Sequence, residues 1–420
     1  MPNFGNELPH CLLKREGKGN SRVRSRNRPV EKSERHPAQR SCRWQRVESH
    51  AIDWLRFPLA VGVVLIHAYG VSALTPAAME GAHPLWVECC KYFRSLLSQW
   101  LPAVAVPAFF LISGRLFFKG VRQMSREVYF TKLQRRFFSL AIPYFLWNVI
   151  ALVVQFLRLR WDVLTWDTAF EKFSFYVRQK GGWSVFWDSQ SIGRDTHNWF
   201  GFPVEGLTAP VDVPLWFVRE LMVLALLSPV IGWLLRRLRW RFLLLLMLCY
   251  VLSVWHPVHG LSTTAALFFS LGAWVSMTDR NLVELCRPHY RLSAVLLPVM
   301  LTVNQFFSMP APISGTWQLV FILVEIVLAV NVAASLSARR RWCFPAVLTG
   351  SVFVIYAAHT VDILRACDEW LKRCWVVDTP GWLTLRYLLV VVIAIALCVL
   401  LNEMLRRLCP FLHRLLSGKR

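Results

Sequence analysis

The amino-acid sequence predicts an all-α integral membrane protein, folded as one polytopic bundle of about ten transmembrane helices. Apolar residues make up 55% of the 420 positions and charged residues 17%, against roughly 25% charged in an average soluble domain. There are 20 tryptophans, and this residue concentrates where a bilayer meets water. Basic residues form short clusters between long apolar stretches, which is typical of a multi-pass membrane protein.

The apolar stretches predict the helices in order along the chain. Most of them reach the roughly 17–25 residues that a transmembrane helix requires. The fifth is short, and a turn at 256–260 separates it from the sixth, so these two can form a tight hairpin. The predicted helices are 51–74, 94–118, 137–157, 213–235, 242–256, 260–277, 292–308, 314–336, 344–366 and 383–405.

The distribution of lysine and arginine predicts that both termini are cytoplasmic and that the number of spans is even. With the amino terminus inside, the inner segments hold 33 basic residues and the outer segments hold 9. This asymmetry follows the positive-inside rule. We expect the plasma membrane, which is the inner membrane of a bacterium, as the location.

Three segments flank or interrupt the predicted bundle, which spans 51–408. Residues 1–50 are basic and lack apolar periodicity, so we expect a disordered cytoplasmic tail. Residues 409–420 are expected to form a second cytoplasmic tail. The segment 158–212 is the longest predicted outer loop and is rich in aromatic residues. This composition indicates an interfacial cap that either anchors the protein or holds a substrate on the outer face.

The net charge of +23 does not indicate a nucleic-acid-binding protein, because the basic clusters alternate with apolar runs. Some clusters can bind an anionic ligand or anionic lipid instead.

The 11 cysteines show no Cys-x-x-Cys pair and no metal-ligand spacing, so no metal site is expected. Cys89, Cys90, Cys367 and Cys374 fall in predicted outer loops, where a disulfide and free thiols are both open alternatives.

The first predicted helix carries three ionisable residues, Asp53, Arg56 and His67. Insertion of a charged side chain into a bilayer costs roughly 2.5–3.5 kcal/mol, so each of these residues is expected to have a structural or functional role. Arg56 and His67 are eleven residues apart, which places them on one helix face and about 16 Å apart along the axis. Arg56 can pair with a phosphate or with Asp53, and His67 can act as a general base. A snorkelling arginine with a hydrogen-bonded interior histidine is the alternative interpretation.

Five motifs resemble, in the same order, those of the membrane acyltransferase-3 family, and they extend over about 51–405. No single motif is highly specific, but their order makes a strong joint signal. The motifs are Arg56-x10-His67; Pro-x-Phe-Phe-x-x-Ser-Gly at 107–114; the basic entry and Ile-Pro-Tyr-x-x-Trp helix at 132–147; Leu-Trp-Phe at 215–217; and Phe-x-x-Tyr-x-x-His at 353–359.

The resemblance implies an enzyme that takes an acyl group, often acetyl, from cytoplasmic acyl-CoA and passes it to a hydroxyl of a surface glycan, lipid or small molecule. It implies that His67 is catalytic and Arg56 is essential. Acyl-CoA is then a co-substrate, and no permanently bound cofactor is expected. His67 would deprotonate the acceptor hydroxyl, although an acyl-histidine intermediate fits equally well. Arg115 and Lys132 depart from the family pattern, which has an aromatic or aliphatic residue and an arginine there.

Coenzyme A carries several phosphates, so a basic patch after the second predicted helix is a candidate donor site. For each residue of this patch, ordinary positive-inside charge is the alternative. Ser113 and Gly114 are small, so a pantetheine arm or another helix can pass closely. The candidate donor-binding residues are Ser113, Arg115, Lys119, Arg122, Lys132, Arg135 and Arg136.

Further candidates lie in the later helices. His359 and Asp362 are three apart on a predicted helix and share a face, so Asp362 either orients His359 or forms a structural pair. Glu220 lies in the predicted helix that contains Trp216 of the fourth motif. Glu220 and Glu325 can each serve a proton path or a buried pair.

A proton-coupled transporter or flippase is the main alternative function, with Glu220, Glu325, Asn304 and Asn331 as its polar pathway. Such proteins commonly contain two related halves, and the sequence shows no convincing internal repeat. A non-catalytic scaffold with a basic tail leaves Arg56 and His67 unexplained. The sequence also lacks a Gly-x-Ser-x-Gly nucleophile elbow and a phosphate-binding Gly-x-x-x-x-Gly-Lys loop.

Overall fold

Helices form almost all of the regular structure, because a helix satisfies its backbone polar groups internally where no water is available. The computed structural model describes residues 37–121, 123–162, 165–192, 196–198, 200–204, 206–254, 259–307, 309–338, 343–375 and 377–419. Within these ranges the helices α1 to α17 are Pro37–Ala68, Pro76–Met79, Pro84–Ser95, Ala105–Phe118, Arg126–Arg136, Ile142–Asp162, Trp166–Gln179, Trp216–Leu238, Trp240–Leu252, Thr263–Met277, Leu282–Cys286, Tyr290–Phe306, Ala311–Ser337, Ala346–Ala358, Leu364–Cys374, Pro380–Leu408 and Pro410–Ser417.

Seven helical stretches of the described chain are long and apolar enough to cross a membrane. Each of them overlaps one of the ten predicted helices. The other three predicted helices correspond to α9, α10 and α12, which have 13, 15 and 17 residues. The fold is therefore a multi-pass helical bundle, as predicted, whereas the count of about ten spans stays a prediction. The seven stretches are Trp44–Ala68, Pro84–Phe118, Arg126–Asp162, Val213–Leu238, Ile313–Ser337, Ala346–Cys374 and Pro380–Leu408.

Irregular turns interrupt three of the long stretches. Between α3 and α4 lie the π-helical turn Leu96–Trp100 and the 3-10 turn Leu101–Val104. The π-helical turn Phe137–Ala141 separates α5 from α6. Between α14 and α15, the segment His359–Ile363 forms a kink. Further 3-10 turns are Gly182–Phe186, Val213–Leu215 and Arg287–His289.

Two close-packed helices, α4 and α10, form the centre of the bundle. A Cβ atom added to Gly114 would lie 2.0 Å from the Phe269 carbonyl oxygen, and one added to Gly272 would lie 2.0 Å from that of Leu111. The two glycines therefore allow the backbones to touch, as small residues commonly do between membrane helices. Phe110 and other fully buried aromatic side chains fill the surrounding core.

Hydrogen bonds join segments that are far apart in the sequence. The Asn281 amide donates to Glu48 at 3.0 Å, and Lys419 donates to the Gly350 carbonyl at 2.9 Å. The Ser72 hydroxyl donates to Asp368. Which end faces the cytoplasm stays a prediction from the charge distribution.

The helix α1 begins at Pro37, so residues 37–50 are helical and not a disordered tail as predicted. The reason is visible at Glu48, which is 5% exposed. Its carboxylate accepts hydrogen bonds from Arg115, from the Asn281 amide and from the Leu282 backbone N–H. These partners come from distant parts of the sequence, and they hold the first turns of α1 against the bundle. Residues 1–36 lie outside the described residues.

The carboxy-terminal helix α17 also packs on the bundle. Trp147 donates its indole N–H to the Leu416 carbonyl at 3.0 Å, and His413 is hydrogen bonded to Asn402 at 3.1 Å. Gly418 adopts a φ of 65° close to the Ser139 carbonyl, where a Cβ would be only 2.5 Å away. The predicted tail 409–420 therefore contains a docked helix.

The predicted outer loop 158–212 contains the end of α6, the helix α7 and two short antiparallel ladders. Strand β1 (Gln190–Ser191) pairs with β4 (Thr208–Ala209), and β2 (Thr196–His197) pairs with β3 (Pro203–Val204). Large aromatic side chains remain exposed on this segment, as membrane-interface contact requires. They include Trp161, Trp166, Phe170, Phe175 and Trp183.

Candidate functional site

Two histidines from distant parts of the chain meet inside the bundle. His67 lies in the last turn of α1, and His359 begins the kink after α14. The centroids of their imidazole rings are 5.2 Å apart, with an angle of 55° between the ring planes. His359 is fully buried. Its Nδ1 lies 2.9 Å from the Ile355 carbonyl oxygen, so Nδ1 carries the proton and donates this bond.

The other ring nitrogen of His359 is consequently the basic one. Among the described residues, His359 Nε2 has no hydrogen-bond partner although it is buried. A buried polar atom without a partner is uncommon in proteins and often marks a functional position. The histidine pair thus presents an imidazole nitrogen that can accept a proton from a bound molecule.

Arg56 lies on the same helix as His67, at the level where α14 begins. Just before α14, the ring of Phe344 packs on Trp54 and Phe57 with centroid distances of 5.1 and 5.0 Å. Asp53 forms an ion pair with Arg56 at 2.8 Å, which is one of the two partners that the sequence predicts. Eleven residues of helix separate Arg56 from His67, which corresponds to about 16 Å along the axis.

A second cation approaches Arg56 from α5. Arg136 lies near Arg56, so the two positive charges interact. Arg136 and Lys132 both lie over the ring of Phe117, at 5.7 and 5.5 Å from its centroid. The cationic groups of two predicted donor-binding residues are thereby fixed beside α4 and α1.

The remaining predicted donor-binding residues divide into three groups. Lys119 and Arg135 are exposed, as is the neighbouring Arg126 at the start of α5. Arg122 lies outside the described residues. Ser113 is half-buried, and the adjacent Gly114 contacts α10. The small side chains at 113–114 therefore accommodate another helix, which was one of the two alternatives left open.

Arg115 does not join this basic group and is paired inside the bundle, so its predicted role in donor binding has no support from its position. It is 9% exposed, and its guanidinium donates to both oxygens of Glu48 at 2.9 and 3.0 Å. A third bond goes to the Ser276 hydroxyl at 2.8 Å. This bidentate pair uses the planar fork of the guanidinium and leaves it no free face for a phosphate.

Asp362 does not orient His359, although a continuous helix would place them on one face. The chain leaves helical geometry at Val361 and Asp362, where the Asp362 φ is 71°. The carboxylate turns instead toward Arg365 at 2.6 Å and Arg158 at 3.5 Å. Asp362 is therefore paired with arginines, and neither form of the predicted His359–Asp362 pair is present.

The acidic residues of the transporter hypothesis have separate partners. Glu220 accepts a hydrogen bond from Ser262 at 2.6 Å. Glu325 accepts one from the backbone N–H of Val104, in the interruption before α4. Asn331 donates to the carbonyls of Cys286 and Val327, and Asn304 accepts from Trp317. These contacts do not connect the polar residues into one pathway within the described chain.

Sequence reasoning missed Asp212 and Arg219, which surround the motif residue Trp216. Arg219 is 1% exposed and donates to the carbonyls of Trp187 and Thr208. Asp212 is 2% exposed, and burial raises its pKa well above the ordinary range of a carboxyl. The ring of Trp216 itself lies 6.3 Å from that of Phe110. The signal for Arg219 was available, since it is a charge inside an apolar helix next to Glu220.

The described cysteines are free thiols. Cys89, Cys90, Cys367 and Cys374, for which a disulfide was one alternative, are all unpaired with each other. No group of three or more histidine, cysteine or acidic side chains in the described residues has the arrangement of a metal site.

A bundle of apolar helices with two histidines in contact inside it defines a multi-pass membrane protein with a candidate active site. Residues 49–403 match the acyltransferase domain family, and the chain belongs to that family. It is also similar to the succinoglycan biosynthesis protein ExoH of Rhizobium meliloti (strain 1021), with 23% identity over 389 residues, which cover 89% of this chain and 92% of that protein. No solved structure matches the chain. The protein is thus a membrane acyltransferase, in agreement with the resemblance that the motifs indicate.

Proposed function

We propose that the protein is an O-acyltransferase of the plasma membrane (the bacterial inner membrane). It moves an acyl group, with acetyl as the first candidate, from cytoplasmic acyl-CoA to a hydroxyl of a glycan, lipid or small molecule. The observation that carries the proposal is the contact of His67 with His359, whose ring centroids are 5.2 Å apart. His67 lies on the same helix as Arg56. The histidine base lies inside the bundle, and the Arg56 cation lies nearer its end. Deprotonation of the acceptor and binding of the donor are therefore assigned to different places.

The reaction requires one proton transfer and one exchange of bonds at the acyl carbon. A histidine nitrogen takes the proton of the acceptor hydroxyl, and the oxygen forms a bond to the thioester carbonyl carbon. The carbon–sulfur bond then breaks, and the CoA thiolate takes the proton back from the imidazolium. An acyl-histidine intermediate is the alternative route, in which the imidazole nitrogen attacks the thioester carbon and the CoA thiolate leaves. The acceptor oxygen then attacks the acyl carbon, the carbon–nitrogen bond breaks, and the hydroxyl proton passes to the thiolate.

The donor assignment is supported by charge at the end of the bundle opposite the histidines. Arg56, Lys132 and Arg136 lie together, and Lys119, Arg126 and Arg135 are exposed nearby in the chain. Phosphates of CoA would pair with such cations, and a pantetheine arm would extend along α1 toward His67. The rise of roughly 16 Å between Arg56 and His67 is compatible with an extended pantetheine arm.

The similarity to ExoH supports a glycan as the acceptor class, because that protein's name places it in succinoglycan biosynthesis. At 23% identity, this similarity does not decide whether the donor is acetyl-CoA or succinyl-CoA. A transporter or flippase is less well supported, because the polar residues assigned to its pathway bond to separate partners.

The test uses the full-length protein purified in detergent, with acetyl-CoA and succinyl-CoA as donors. We expect the wild type to bind a donor and to hydrolyse it slowly, and we expect His67→Ala to bind the donor without turning it over. His289→Ala is the matched control, because His289 is exposed and lies outside the site. Thermal unfolding shows whether each variant is folded. Absence of binding and cleavage of both donors by the wild type would refute the proposed donor.

A further inference from the structure

A polar cavity of about 220 Å³ lies against the kink that begins at His359. It is enclosed by α6, α7, the segment before α8 and the kink at His359–Ile363, and we call it the kink cavity. Polar side chains form much of its wall. They include Gln155, Arg158, Tyr176, Gln190, Asp212 and Asp362.

Asp212 is the best evidence that the cavity takes a ligand. Its Oδ1 accepts a hydrogen bond from the Thr360 hydroxyl at 3.0 Å, and its backbone N–H donates to the Asn148 side chain at 3.1 Å. Its Oδ2 is buried and has no hydrogen-bond partner in the part of the chain that the structure describes. A buried carboxyl oxygen without a partner is costly, and a ligand hydroxyl in the cavity would satisfy it.

The kink supplies a second carboxylate to the cavity wall. Asp362 adopts a φ of 71°, which is strained for a residue other than glycine. This conformation turns its carboxylate into the cavity wall, where Arg158 approaches it at 3.5 Å. Strained backbone geometry of this kind persists where the surrounding structure requires it, often at binding sites.

The cavity is connected to the proposed chemistry through a single residue. Thr360 lines the cavity and is the next residue after His359, whose ring faces His67. A molecule held by Asp212 and Gln155 would therefore contact the segment that continues directly from His359, a member of the proposed proton-transfer centre.

We propose that the kink cavity is the acceptor site and that it holds one sugar ring of a glycan. This inference rests on the proposed function. Sugar hydroxyls both donate and accept hydrogen bonds, and the wall offers carboxylates, amides, a phenol and a guanidinium. The cavity is smaller than the roughly 300–1,000 Å³ of pockets for drug-sized molecules. It therefore accommodates a single ring and excludes a longer stretch of glycan.

The experiment measures CoA release by the purified full-length protein with acetyl-CoA or succinyl-CoA, at rising concentrations of methyl glucoside, methyl galactoside and methyl N-acetylglucosaminide. We expect at least one glycoside to accelerate CoA release and to appear as an acylated product in mass spectrometry. The variant Gln155→Leu keeps the side-chain volume and removes the amide. We expect it to raise the glycoside concentration at half-maximal stimulation at least tenfold.

The matched control is Gln179→Leu, at an exposed glutamine on α7 that does not line the cavity. Identical acceptor dependence of Gln155→Leu and Gln179→Leu would overturn the proposal. So would a wild type that hydrolyses the donor but responds to none of the three glycosides, which would favour a lipid or another acceptor.

A wild type that cleaves neither donor would instead refute the proposed function. Glycoside binding is then measured directly by saturation-transfer NMR on the same protein. Binding that Gln155→Leu abolishes and Gln179→Leu retains would still support a sugar site, and absence of binding to the wild type would refute it.

Discussion

The imidazole ring of His67 lies 5.2 Å from that of His359, centroid to centroid, although these residues come from the first helix of the bundle and from the kink after α14. The bond from His359 Nδ1 to the Ile355 carbonyl fixes which nitrogen carries the proton. His359 Nε2 thereby becomes the free base beside His67. The two rings together form the proposed proton-transfer centre.

Replacing Arg56 by alanine is expected to weaken donor binding. A charge-assisted contact to a phosphate contributes about 1.5–3 kcal/mol, so KM for acyl-CoA should rise roughly ten- to hundredfold. Arg373→Ala, at an exposed arginine on α15, is the control and should leave KM unchanged. Equal KM values for the two variants would show that Arg56 does not hold the donor.

Removing the carboxylate of Glu48 is expected to destabilise the fold strongly. Glu48 and Arg115 are 5% and 9% exposed, and Glu48→Ala would leave the guanidinium buried without its counter-ion. Loss of one partner of a buried pair costs roughly 3–5 kcal/mol. Glu88→Ala, which removes an exposed pair with Lys91, should cost at most about 1 kcal/mol. Thermal unfolding in detergent compares the two, and similar unfolding temperatures would contradict the assigned role of Glu48.

Adding a methyl group at Gly114 is expected to separate α4 from α10. In Gly114→Ala, the new Cβ would be only 2.0 Å from the Phe269 carbonyl oxygen, so one helix must move. Overpacking of this kind costs roughly 1–3 kcal/mol. Gly70→Ala is the control, because no atom lies within 4 Å of its added Cβ. A stable Gly114→Ala protein would show that the helices are not in close contact there.

The buried carboxyl of Asp212 makes a specific prediction about pH. Burial raises its pKa in the folded protein well above the ordinary value of 3.8, so the folded state binds the proton more tightly than the unfolded state. This contribution to stability is full below about pH 4 and is lost as pH rises toward the folded-state pKa. Asp212→Asn lacks the titration, and its unfolding temperature should fall less than that of the wild type between pH 4 and 8. Parallel plots of unfolding temperature against pH for the two proteins would contradict the assigned burial. Arg158 and Asp362 are the other charged groups on the cavity wall.

The apolar stretches were sufficient to predict a multi-pass helical bundle, because length and apolarity are local properties of the sequence. The shared face of Arg56 and His67 stays a prediction from helical spacing. The contact between His67 and His359 joins distant segments and was not predictable from spacing, although both residues were candidates. The kink at Val361 and Asp362 overturned the predicted His359–Asp362 pair, since helical spacing assumes an uninterrupted helix. The pairing of Arg115 with Glu48 was not predictable, because Glu48 lies in a segment whose composition indicated disorder.

The most direct test of the account is a double-mutant cycle on the two histidines, with CoA release from the donor as the readout. Proton transfer by a positioned side chain contributes roughly 10²–10⁴-fold, so His67→Ala and His359→Ala should each reduce kcat at least a hundredfold. If the rings act as one centre, the double variant should be no slower than the slower single variant. Effects that multiply, or a His359→Ala enzyme with wild-type kcat, would contradict a shared catalytic site.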